Sequence, residues 1–241
     1  MKIFTIDIET SPHDAWAFNV WQTNILPCHL KEPTTILSFA GKFTDSNKVY
    51  YKTCFDGDMY QTLARLLDEA DVVITYNGDK FDIKHINREF VTRGIRPARP
   101  FASIDLLKVV KQNFNFPHNR LDYICSVLLG EKKLDTGGFD LWPEFMSQNP
   151  KALRTMQRYN IKDTRLTEKL YLFLRPWIKN HPYAGGASLT IDDDLQTYEC
   201  PACGSLDVVK DRPRRTRCFA IRVCQCNSCG TWFDGRRRKL Q

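Results

Sequence analysis

Two acids sit inside a strand-forming run at the start of the chain, MKIFTIDIETSP. Acids are depleted from strands, and a buried carboxylate without a partner is costly or takes up a proton. Strand side chains alternate in direction, so Phe4, Ile6 and Ile8 point to one face and Asp7 and Glu9 to the other. Two accounts fit these residues alone: a hard divalent cation shared by both carboxylates, or a strand end whose acids face water. A two-cation site needs three or four carboxylates from different elements, and the chain offers two further candidates. Asp82, in YNGDKFD, follows a short apolar strand and opens a helix; alone it reads as a first-turn acid favoured by the helix dipole. Tyr159 and Asp163, in YNIKD, are four apart and share a helix face, where they could serve a water held by a metal or form a surface pair.

A second chemistry is written in cysteine. Cys200-x2-Cys203-Gly204 and Cys226-x2-Cys229-Gly230 are two copies of one knuckle, with two thiolates on a tight turn and glycine beside them. Four thiolates suit a tetrahedral Zn²⁺. The residues between them read as strand, basic turn, strand, resembling a zinc ribbon. Disulfides are the competing account. Cys218 and Cys224 are surplus. So short a module builds little core, so a structural zinc is expected to fold it.

The elements that must position these groups follow from pattern. Residues 34–43 and 48–55 read as a hairpin, 58–70 as an amphipathic helix and 71–77 as a buried strand. A helix closed by Gly94, a strand running into a helix over 101–114, a helix capped at Asn119 and stopped at Gly130, and a long helix from Pro150 complete the series. Three strands followed by alternating helix and strand predict a layered α/β domain with a mixed sheet. Residues 12–33 show no period; the tryptophans there, Trp16 and Trp21, are read as packed rather than stacking on bases.

The charge is divided unevenly. Residues 200–241 hold 10 Lys/Arg, 3 acids and six of the nine cysteines, so the whole net charge of +7 lies there. This marks a basic module at 199–241, joined to a domain at 1–180 by a linker at 181–198. Arg212, Arg214, Arg215 and Arg217 on the expected turn, and Arg236, Arg237, Arg238 and Lys239 at the tail, suit phosphate contact. Trp232 and Phe233 offer a stacking face. A solvated charge run is the competing account. No stretch is long and apolar enough to span a membrane, and no basic, then apolar leader precedes the first strand. An intracellular (cytoplasmic) protein with reduced thiols, cellular or viral, is therefore expected.

DIE on the first strand, N-x-x-x-F-D after a later strand and Y-x-x-x-D on a late helix resemble, in order and spacing, the three motifs of the DEDD exonuclease superfamily. Tyr159 four before Asp163 resembles the DEDDy branch, which includes the proofreading domains of family A and family B DNA polymerases. The resemblance covers roughly residues 1–178. It implies a ribonuclease H-like fold: a mixed five-stranded sheet flanked by helices, here followed by the small C-terminal zinc ribbon. It implies that Asp7, Glu9, Asp82 and Asp163 bind two Mg²⁺ or Mn²⁺ ions, with Tyr159 orienting the attacking water. Thr10 would approach the terminal nucleotide; Asn77 and Phe81 would touch the sugar or stack near the base, although composition favours Phe81 as core. The expected activity is 3′–5′ exonuclease on DNA, with a polymerase or other replication or repair protein as a possible partner. An RNA or oligonucleotide exonuclease, and a ribbon-based recruitment protein, are the alternatives.

Overall fold

The computed structural model describes residues 1–19, 21, 24–178, 181–182, 197–201, 204–228 and 230–240. Most of the linker expected at 181–198 thus lies outside the described residues, as do Cys203 and Cys229. Strands β1 (Ile3–Thr10), β4 (Ile36–Phe43), β5 (Val49–Thr53), β6 (Val72–Thr75) and β7 (Ala102–Asp105) form one five-stranded sheet in the order β5-β4-β1-β6-β7. β1 pairs antiparallel with β4 and parallel with β6, and β6 pairs parallel with β7. The sheet is mixed, as the run of three strands followed by alternation requires. A two-stranded ladder, β2 (Asp14–Ala15) with β3 (Leu30–Glu32), extends beyond the end of β1.

Helices cover both faces because the central strands are apolar on both sides. Phe4, Ile6 and Ile8 pack with Leu63, Leu66 and Phe90 of α1 (Met59–Glu69) and α2 (Asp82–Thr92). A Cβ at Gly41, opposite Ile6 in the ladder, would overlap the Phe4 ring, so only glycine lets that ring lie across β4. On the other face, Ile3, Val72 and Ile104 pack with α3 (Leu106–Asn113), α4 (Leu121–Leu129) and α6 (Pro150–Leu174). A third cluster joins Leu37 to α5 (Leu141–Met146) and the first turns of α6 through Phe145 and Met156. Pro150 opens α6, and the Asn149 side chain caps it by accepting from the Lys151 N–H; the helix then runs unbroken for 25 residues.

Two local expectations change. Arg120, not Asn119, occupies the cap position of α4, and the Asn119 carbonyl instead accepts the Tyr76 hydroxyl. The aromatics of 12–33 are not packed: Trp16 is 71% exposed and Trp21 86%.

The C-terminal module is a three-stranded antiparallel sheet, β10-β9-β8, from β8 (Val208–Arg215), β9 (Phe219–Cys226) and β10 (Trp232–Lys239). Arg212, Arg214 and Arg215 lie in β8 rather than on a turn, and Arg236 to Lys239 lie in β10 rather than on a tail. The module is seated against the first domain. The Arg99 side chain, 1% exposed, reaches Asp211 at 2.7 Å and Asp71 at 3.4 Å and donates to the Arg212 carbonyl at 2.7 Å. Arg212 in turn donates to the Asp68 and Glu69 carbonyls at the end of α1, and the Trp232 indole N–H donates to the Pro97 carbonyl. These contacts lie beside Lys2 and Asp71, where the parallel strands begin.

Candidate active site

The acids converge where β1 ends. β1 turns Asp7 and Glu9 toward α6, away from the core beneath α1 and α2. Asp163 projects from α6 onto the same spot, and one oxygen from each of Asp7, Glu9 and Asp163 lies within 4.8 Å of the others. Among the described residues this is the one grouping of three or more such ligands. Asp82 is not part of that triad, although it borders it. At the first position of α2, its Oδ1 accepts the Ile8 N–H at 3.1 Å, between the two acids of β1. That contact fixes the entry of α2 against the strand.

The electrostatics are those of crowded like charges. Burial, then repulsion from Glu9, Asp82 and Asp163, pushes Asp7 well above the usual carboxylate range. Burial and Asp163 push Glu9 up to about 8, and burial pushes Asp82 up to about 7. Asp163 is raised by burial against the pull of Lys133. Of these acids Asp163 has a cation in contact, and burial, with mutual repulsion at Asp7 and Glu9, prevails at the other three.

One cation is built in. The Lys133 ammonium lies 2.5 Å from Asp163 Oδ2 and donates to the Tyr159 hydroxyl at 3.1 Å. Burial alone would lower Lys133, but Asp163, Tyr159 and Asp7 hold its pKa above the ordinary lysine range. Asn160, fully buried, donates to Asp7 Oδ2 at 2.7 Å and to the Asp7 carbonyl at 3.1 Å, and itself accepts from Ser38. Trp142 hydrogen-bonds Glu9 and meets the Tyr159 ring edge-on.

Lys133, Asn160 and Trp142 were not among the sequence candidates. Asn160 carried a usable signal: it lies three before Asp163, on the stripe of α6 that Met156 and Leu170 mark as buried, where a polar residue needs a partner. Lys133 lies in an aperiodic stretch and gave none.

The donor set fits divalent cations. Three clustered carboxylates, with Asp82 at their border, meet one ammonium, all donors are hard oxygens, and burial and repulsion raise the acids' pKa values where a cation would lower them. Cys200 and Cys226 fit a thiolate site in another way. Both are buried, and both head turns of the same build: Gly204 N–H returns to the Cys200 carbonyl and Gly230 N–H to the Cys226 carbonyl, each at 2.9 Å with the glycine at positive φ.

The remaining sequence candidates scatter. Thr10 ends β1 after a bulge, beside the acids. Asn77 adopts φ 69°, held by its N–H donating to Asp105 Oδ1 at 2.7 Å. Phe81 is not core: it is 38% exposed, with its ring against His85. Arg212 and Trp232 are spent on the seam between the domains, and Arg214 pairs with Asp234 at 2.6 Å. Arg217, Arg236, Arg237 and Arg238 are exposed, Arg215 is half-buried, and Arg237 also lies over the Phe219 ring.

A mixed five-stranded sheet carrying acids at the end of its central strand defines a ribonuclease H-like domain. The family model of the RNase_H superfamily matches residues 4–175, and the chain belongs to that superfamily. Among curated proteins it is 22% identical over 195 residues to the DNA polymerases of Thermococcus litoralis and of Thermococcus aggregans, each over 70% of this chain. It spans only 11% and 10% of their lengths. Among solved structures it resembles the family B DNA polymerase of the hyperthermophilic archaeon Pyrobaculum calidifontis. The TM-score is 0.56 at 18% identity, over 73% of this chain and 24% of that one, a likeness of fold. Among the described residues no helix is long and apolar enough to cross a membrane.

Proposed function

We propose that this chain is a metal-dependent 3′–5′ exonuclease of the DEDDy type that removes nucleotides from single-stranded DNA. The observation that carries the reading is the convergence of Asp7, Glu9 and Asp163 with Tyr159 one turn before Asp163 on α6. The likeness to DNA polymerases supports DNA over RNA.

Asp7, Glu9, Asp82 and Asp163 would hold two Mg²⁺ or Mn²⁺ ions. Bound there, such cations supply Lewis-acid activation of water and stabilise the leaving 3′ oxygen. The chain's own residues do the rest. Asn160 locks the Asp7 carboxylate through one oxygen and leaves the other to face the site. Lys133 holds the Tyr159 hydroxyl at Asp163, so both can hydrogen-bond a water aimed at the scissile phosphorus. Its positive charge also offsets the phosphate's approach to four acids. Thr10, at the end of β1, and Asn77, just past β6, would contact the terminal nucleotide.

We assign Cys200, Cys203, Cys226 and Cys229 to one structural Zn²⁺, which the matched turns at Cys200 and Cys226 support. The exposed arginines of β10 would then offer phosphates a basic strip. Metal analysis tests the zinc: one equivalent per chain is expected, lost in Cys226→Ser, and its absence from correctly folded protein would contradict the assignment.

The test of the activity is a time course on a strand labelled at its 5′ end, with Mg²⁺ or Mn²⁺, in DNA and RNA versions. A ladder shortening from the 3′ end of the DNA, absent in Asp7→Ala, is expected. Faster loss of the RNA would make the enzyme an RNA exonuclease. Folded, metal-supplied wild type that degrades neither would leave a recruitment protein as the better account.

A further inference from the structure

The chain leaves β1 at Thr10 and returns to β4 at Ile36 by way of an arm, residues 11–33, that the catalytic chemistry does not use. Its base is tied down beside the acids: Ser11 N–H donates to the Thr35 carbonyl, and Thr35 N–H to Ser11 Oγ, each at 2.9 Å. The β2–β3 ladder and the Trp16 N–H donating to the His29 carbonyl hold the two stems of the arm, Asp14–Trp16 and His29–Glu32, together. Its described apolar side chains nonetheless face outward. Phe18 is 96% exposed, Trp21 86% and Trp16 71%, with Leu26 at 54% beside them. A cavity of about 380 Å³ opens between Trp16, Phe18 and His29.

We propose that this arm is a stacking platform for unpaired bases of the strand whose 3′ end lies at the carboxylates. The proposal rests on the nuclease reading and names how that site takes its substrate. Three observations choose this occupant. The arm springs from the catalytic strand, and Trp16 is six residues from Thr10, within about 20 Å of chain reach. That puts the last few nucleotides of a strand whose 3′ end lies at the carboxylates within the arm's reach. The exposed side chains include three aromatics, whose faces suit bases of any sequence. The arm carries one lysine and two acids, so charge does not favour phosphates there and its aromatic faces point to bases instead. That one lysine, Lys31, lies 4.2 Å above the Trp16 ring and 3.0 Å from Asp14, which fixes the indole plane.

The test compares wild type with the double variant Trp16→Ala, Phe18→Ala in the full chain, melting temperature confirming that both fold. On a single strand of about 12 nucleotides, KM should rise about tenfold or more with kcat nearly unchanged. Hydrolysis of a nitrophenyl ester of a nucleoside monophosphate, which fills only the carboxylate site, should not change. Abasic positions a few nucleotides from the 3′ end should raise KM in wild type and add little in the variant. An unchanged KM on the long strand overturns the proposal, and it does so equally if the variant instead loses self-association, which would give the patch to a second copy of the chain. Should wild type hydrolyse neither substrate, the nuclease reading fails by itself. Anisotropy of a labelled strand on Asp7→Asn, with and without the arm substitutions, then decides the arm: binding lost with the substitutions supports it, and binding unaffected overturns it.

Discussion

The two ends of the central sheet bury charge in opposite ways. Where the parallel strands begin, Arg99 is sealed beneath the C-terminal module with Asp71 and Asp211 within ion-pair distance and the Arg212 carbonyl as a further acceptor. Where β1 ends, roughly 23 Å away along seven strand residues, four acids crowd around one lysine. The first cluster is electrostatically complete and reads as a fastening. The second is short of positive charge and keeps protons to survive. Buried charge alone therefore does not mark a site; buried charge of one sign, left unbalanced by the chain, does.

Substitutions at the two ends should separate these roles. The largest effect expected is on catalysis: Asp7→Asn lowers turnover by orders of magnitude while the metal-free protein melts at a higher temperature than wild type, because repulsion is relieved. Activity and melting curves on the same preparation check both halves. At the other end the sign reverses. Arg99→Ala removes the buried guanidinium that ties Asp71 to Asp211, while Asp71 keeps Arg212 at 3.5 Å and Asp211 stays partly in solvent, and should cost about 1–3 kcal/mol in denaturant unfolding. It should also expose the C-terminal module to proteolysis while hydrolysis of a minimal phosphodiester persists. Tyr159→Phe sits between these in kind: it removes the hydroxyl proposed to orient water but no charge, and kcat should fall about 10²-fold with little change in melting temperature.

A pH dependence confined to the carboxylate end is also expected. In metal-free folded protein, Glu9 and Asp82 hold protons up to about 8 and about 7, whereas in the unfolded chain they lose them near the ordinary value of about 4. Between those limits the native state binds more protons than the unfolded one. Stability without metal should therefore be greatest at low pH and fall as pH rises toward about 8. Melting temperatures in chelator across that range test the slope, and Asp7→Asn, with less repulsion at Glu9, should flatten it.

The carboxylate end was the more legible of the two. Strand alternation placed Asp7 and Glu9 on one face, and helical spacing put Tyr159 beside Asp163, because both signals are local and periodic. Lys133 was invisible because it joins the site from a stretch without period, 30 residues before Asp163. The seam was invisible for the same reason: Asp71, Arg99 and Asp211 share no local pattern, and their meeting depends on how two domains dock. Of the four arginines read as a basic turn, Arg217 lies in the turn while Arg212, Arg214 and Arg215 are strand residues, one of them turned inward at the seam, since composition fixes charge but not direction. The arm misled in the other direction, because tryptophan is read as core by default and here stands in solvent.

The central claim is that the acids at the end of β1 are waiting for a cation. It is tested most directly by the melting temperature at about pH 8 as Mn²⁺ is added. Wild type should gain stability with rising Mn²⁺, and Asp7→Asn, already higher without metal, should gain little. A wild type indifferent to Mn²⁺, or an Asp7→Asn protein less stable than wild type in chelator, would show that the cluster is held together as the Arg99 seam is, and would contradict the account.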